Sequence, residues 1–79
     1  MEIKILGPGC KNCETLEERT REALRSMGVE AEVSKVTDYG EIAAMGVMKT
    51  PGLVVDGKVV MSGRVPTVEQ VRELLSEAG

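Results

Sequence analysis

Histidine, tryptophan and phenylalanine are missing from this 79-residue sequence, tyrosine occurs once, at Tyr39, and there are only two cysteines. Each shortage narrows the reading. With one aromatic ring, a core has to be built from Ile, Leu, Val, Met and Ala. With no histidine and no third cysteine, one chain has too few nitrogen and sulfur ligands for a complete tetrahedral zinc site. No apolar run approaches the roughly 20 residues that cross a bilayer. The apolar piece Ile3-Lys4-Ile5-Leu6 is interrupted by Lys4 and ends at Gly7-Pro8-Gly9, unlike the hydrophobic centre of a secretion signal, so the cytoplasm is the expected compartment. The formal charge of −3 provides no basic footprint for nucleic acid or an anionic membrane. There is no Gly-rich dinucleotide fingerprint, and the chain is too short for that unit, so no nicotinamide or flavin is expected.

The cysteines that are present fall in one tetrapeptide, Cys10-Lys11-Asn12-Cys13, between an apolar run and a helical pattern. In the cytoplasm a structural disulfide is unusual, and a pair this close staples too short a loop to stabilise much. A dithiol that closes and reopens fits the spacing. The rival is a pair of thiolates holding a soft metal ion, as in a small metal-binding protein or metallochaperone. No metal ligands are assigned on the preferred reading.

Three features favour Cys10 as the attacking thiol. It stands at or just before the first turn of a helix, where unpaired N–H groups and the helix dipole favour an anion. Lys11 adds a positive charge beside it, and Gly9 closes an entry free of bulky side chains. Glu14, four residues on, opposes the thiolate, and Glu17 stands likewise to Cys13. Cys13 lies one turn further, towards the face that packs on a sheet, which suits a resolving thiol.

Residues 2–6 alternate as a strand. Residues 11–27 form a helix with Cys13, Leu16, Thr20, Ala23, Leu24 and Met27 on one face, a solvated Glu/Arg face that includes Glu17 and Arg21, and Gly28 as the stop. Residues 30–36 alternate again. Asp38 and Glu41 resemble a capping box that opens a short helix through Met45. Two strands, 53–55 and 58–61, flank Asp56-Gly57, a strong hairpin signal. Pro66 and Thr67 open a last helix, with Gln70 completing a second box and Val68, Val71, Leu74, Leu75 and Ala78 as its apolar stripe. Met45, Met48 and Met61 read as core or rim, and Tyr39 as packing beside the second helix. The expected order is βαβαββα, an α/β fold in one domain over 1–79, its four-stranded mixed sheet covered by helices on both faces.

Thr50-Pro51 precedes the third strand, and its position alone leaves a cis or a trans bond open. Together, Gly9-Cys10-Lys11-Asn12-Cys13, the element order and Thr50-Pro51 before the hairpin resemble the thioredoxin/glutaredoxin superfamily, in particular its small prokaryotic redox-active disulfide proteins. The resemblance covers essentially the whole chain and implies a minimal thioredoxin-like fold. It makes Cys10 the exposed nucleophile, Cys13 the buried resolving cysteine, and Pro51 a cis-proline facing them, with Thr50 offering its backbone to a substrate strand. It implies a thiol–disulfide oxidoreductase that needs no cofactor beyond a Cys10–Cys13 disulfide and works as a monomer on disulfide-containing proteins with a separate reductase. The glutathione-binding Gly-Gly-x-Asp of glutaredoxins is replaced here by Ser62-Gly63-Arg64-Val65, with no acidic residue, which speaks against glutathione as the natural partner.

Overall fold

Alternation in the first residues sends Ile3 and Ile5 to one side of the chain and Leu6 to the other, and strand β1 (Glu2–Leu6) buries all three. Such a strand needs neighbours on both edges. Strand β2 (Glu32–Val36) runs parallel to it, Ile3 opposite Val33, and helix α1 (Lys11–Met27) makes the crossover that parallel pairing requires. On the other edge, β3 (Gly52–Val55) pairs antiparallel with β1, and β4 (Lys58–Ser62) antiparallel with β3, giving the sheet order β2-β1-β3-β4. The remaining helices are α2 (Tyr39–Ala44) and α3 (Val68–Ala78). The computed structural model describes residues 1–9 and 11–78 of the chain. Its order is the βαβαββα expected from the sequence.

The two faces of the sheet carry separate aliphatic clusters. On one, Leu16, Ala23 and Leu24 of α1 and Val71 and Leu75 of α3 cover Ile3, Ile5, Leu53, Val55 and Met61. On the other, Ile42 of α2 and Val47 cover Leu6 and Val54. β3, buried at all four residues, is with β1 one of the two interior strands that both layers share.

The Asp56-Gly57 turn has both residues in the left-handed region, φ 50° and 82°, the type I′ geometry that matches strand twist. Asp56 also clasps the start of β1. Its N–H donates to the Glu2 carbonyl at 2.7 Å, and its carboxylate accepts from the Glu2 N–H at 2.8 Å. Leu53 opposes Met61 and Val54 opposes Val59, so Val60 is the extra residue of a β-bulge.

Several local expectations need correction. β2 begins at Glu32, not at residue 30, and Val33 and Val36 are only half-buried because β2 is an edge strand. Tyr39 and Met48 are 65% and 91% exposed, so neither belongs to the core, whereas Met61 does. The Thr67–Gln70 capping box is complete, with the Thr67 N–H donating to Gln70 Oε1 at 3.0 Å and the Gln70 N–H to Thr67 Oγ1 at 3.2 Å. At α2 the Asp38 carboxylate instead accepts from the N–H of Gly40, two residues on, at 2.7 Å. The side chain of Ala78 lies outside the described part.

Candidate active site

The site is assembled where β1, α1 and the approach to β3 meet. β1 hands on to Gly7, whose N–H donates to the Val36 carbonyl at 2.8 Å and so extends the parallel ladder by one residue. The chain then turns through exposed Pro8 and Gly9, the latter at φ 87°, a conformation that favours glycine. α1 begins at Lys11, and Cys13 falls in its first turn, on the same buried stripe as Leu16 and Thr20. Cys13 is 5% exposed. Cys10 lies outside the described residues.

Gly7 is buried, and its φ is not in the left-handed region; it is glycine for want of space. A Cβ added there would overlap Cys13 Sγ and stand 3.2 Å from Cys13 Cβ and 3.8 Å from Thr50 Cβ. The structure therefore brings Cys13 and Thr50 together over Gly7. The Thr50–Pro51 peptide bond is cis. Pro51 is buried, and its carbonyl accepts from the Gly63 N–H at 2.9 Å, which holds the segment against the end of the β3–β4 ladder. The stem of Lys49 lies over Gly63, where an added Cβ would meet Lys49 Cβ at 3.1 Å and Cδ at 3.3 Å. Gly9 and Lys11 are exposed residues flanking the cysteine segment, and Met48 stands into solvent two residues before Thr50.

Sequence reasoning treated Gly7 only as part of an open entry and did not connect it with Cys13. It also expected a solvated Glu17. The Glu17 side chain is in fact only 16% exposed and holds two cations, Lys35 Nζ on β2 at 2.9 Å and Arg21 Nη2 at 2.9 Å. The hydrogen bond from Lys35 keeps the Glu17 carboxyl below its ordinary range, burial pushes the other way, and the hydrogen bond from Arg21 adds to the lowering. The same contact with Glu17 raises the Lys35 ammonium. The negative charge one turn beyond Cys13 is thus partnered by two cations.

A depressed carboxyl stabilises the fold above its unfolded pKa, near 4.5, and loses that contribution as the pH falls through the folded value. Glu17→Gln should therefore be less stable than wild type at pH 6–7, and the difference should close below about pH 4. Urea unfolding across this range checks it, and a gap that persists unchanged at pH 3 would assign the loss to packing.

Among the described residues no group of three or more His, Cys, Asp and Glu side chains is placed to hold a metal ion, and no helix is long and apolar enough to cross a membrane. A cleft of about 1030 Å³ runs between the C-terminal half of α1 and edge strand β2, over Leu24, Val29, Ala31 and Val33. It shares no lining residue with the Gly7–Cys13–Thr50 cluster.

Residues 1–76 match the family described as thioredoxin domain. The chain is similar to a protein named thioredoxin from Methanothermobacter thermautotrophicus, 41% identical over 76 residues that cover 96% of this chain and 99% of that protein. It is also similar to a thioredoxin of Methanocaldococcus jannaschii, 41% identical over 73 residues covering 92% of this chain and 84% of the relative.

Proposed function

The chain belongs to the thioredoxin-domain family, and on that premise we propose that it is a thiol–disulfide oxidoreductase that reduces disulfides in partner proteins with the pair Cys10 and Cys13. The observation that carries the proposal is the burial of Cys13 at the start of α1, against Gly7 and near Thr50, which precedes the cis Pro51, three residues after the other cysteine.

In the proposed cycle the Cys10 thiolate attacks one sulfur of the partner's disulfide. A Cys10–partner bond forms, and the partner's other sulfur leaves as a thiolate that takes a proton from water. Gly9 leaves room for the approach, Lys11 favours the anionic sulfur, and the backbone at Thr50 and Pro51 aligns the incoming strand. Cys13 gives up its proton and attacks Cys10 Sγ, forming the Cys10–Cys13 disulfide and expelling the second partner thiolate. Two electrons have then passed to the partner. A separate reductase or small thiol returns them, and the disulfide itself is the only redox group required. Burial of Cys13 supports the division of labour, since an enclosed sulfur reacts within the mixed disulfide and not with free disulfides.

Reduction of insulin disulfides by dithiothreitol, followed as precipitation of the freed chains, tests the proposal. The protein should accelerate the reaction catalytically at micromolar concentration. A rate equal to that of dithiothreitol alone, combined with tight binding of Cu(I) or Zn(II) by the reduced protein, would transfer the cysteine pair to metal handling.

A further inference from the structure

Resolution of a mixed disulfide demands accurate placement of the second sulfur. The bond to be formed is about 2.05 Å long with a torsion near 90°, and a misplacement of about 1 Å can cost on the order of 100-fold in rate. The surface against which Cys13 Sγ rests is therefore part of the reaction's geometry. That surface is Gly7. It lacks a side chain although its φ lies outside the left-handed region, and a single methyl there would overlap the sulfur. Gly7 has little freedom to retreat. Its N–H is bonded to the Val36 carbonyl at 2.8 Å, and its added Cβ would also stand only 3.2 Å from Cys13 Cβ, which α1 holds in place. The sulfur is the part that gives way, by turning away from its seat.

We propose that Gly7 is a positioning residue for the resolving step: its bare Cα seats Cys13 Sγ at the end of β1, and that seat fixes the sulfur for its attack in the mixed disulfide. The proposal rests on the oxidoreductase reading. In the resolving step the Cys13 thiolate forms the Cys10–Cys13 bond, the Cys10–partner bond breaks, and the partner sulfur leaves with the electron pair and is protonated by water.

The test is Gly7→Ala in wild-type and Cys13→Ala backgrounds. The variant, reduced and freed of dithiothreitol, should resolve its mixed disulfide with added insulin about 100-fold more slowly and so accumulate a Cys10–insulin adduct on non-reducing gels. Alkylation of Cys10 by iodoacetamide should change less than about threefold, because the first sulfur is not the one displaced. Crowding of this kind should lower the midpoint of thermal unfolding by about 5–15 °C, and most of that loss should disappear in the Cys13→Ala background, where the sulfur is gone. A Gly7→Ala protein that resolves its adduct as fast as wild type overturns the inference while leaving the oxidoreductase reading in place. An equal unfolding penalty in both backgrounds overturns the contact with Cys13. If wild type itself fails to reduce insulin, the oxidoreductase reading fails, and the seat assigned to Gly7 in that reaction falls with it.

Discussion

Cys10→Ser should leave insulin reduction at the rate of dithiothreitol alone, whereas Cys13→Ser should capture the partner and stop. The two changes remove the same atom from the same tetrapeptide, yet the site treats them differently. Cys13 is 5% exposed and seated on Gly7, so a Cys13 thiol left alone meets few external disulfides and the Cys10→Ser protein has no entry point. A serine at 13 leaves the attack by Cys10 intact and removes the nucleophile that completes the exchange, since a hydroxyl does not displace a thiolate from sulfur at neutral pH. Mixing reduced Cys13→Ser with a disulfide-bearing protein should give a covalent one-to-one adduct that a non-reducing gel retains and dithiothreitol dissolves. An adduct formed by Cys10→Ser in place of Cys13→Ser would reverse the assigned roles, and equal behaviour of the two would remove the division between them.

Leu53→Ala should cost about 2–5 kcal/mol, which for a chain of this size is a large share of a total stability of about 4–12 kcal/mol. Leu53 is fully buried on interior strand β3, opposite Ile5 and Met61, under the layer formed by α1 and α3. No aromatic ring is nearby to slide into the space, and β3 is fixed by strands on both sides, so the cavity closes poorly. The site should suffer as well, since Leu53 follows Pro51 by two residues and anchors the segment that carries Thr50. Val59→Ala, on the edge strand and half-buried, should cost less than half as much. Urea unfolding of the two variants measures both losses. A Leu53→Ala loss below about 1 kcal/mol would show that the aliphatic core repacks around the gap.

The elements were legible in the sequence wherever the signal is local. Alternation gave β1, the 3.6-residue stripe gave α1 and α3, and Asp56-Gly57 gave the hairpin, because each pattern is decided within a few residues. The paired capping motifs show how far local signals reach. Thr67–Gln70 forms its reciprocal bonds, while Asp38 satisfies the N–H of Gly40 from a turn that its short side chain can reach two residues on. Edge effects were less visible: residues 30–36 alternate as if half-buried along their length, but the start of β2 is set by where β1 begins to pair with it. Of the candidate site, the cysteine spacing and Thr50-Pro51 could be read directly. The seat beneath Cys13 could not, because it depends on the end of β1 meeting the first turn of α1, and no periodicity encodes that distance. The link from Glu17 to Lys35 is hidden for the same reason, since it joins a helix to a strand 18 positions along the chain.

The cycling of the two sulfurs between dithiol and disulfide is tested most directly by equilibrating the protein in dithiothreitol buffers of graded potential, trapping free thiols with an alkylating mass tag, and weighing the intact chain. Reversible two-electron behaviour predicts that both tags are gained or lost together, with a tenfold change in the reduced-to-oxidised ratio for about every 30 mV. The peptide map of the oxidised form should join Cys10 to Cys13. Stable species carrying a single tag, or two thiols that stay reduced across the whole range, would contradict a redox-active pair.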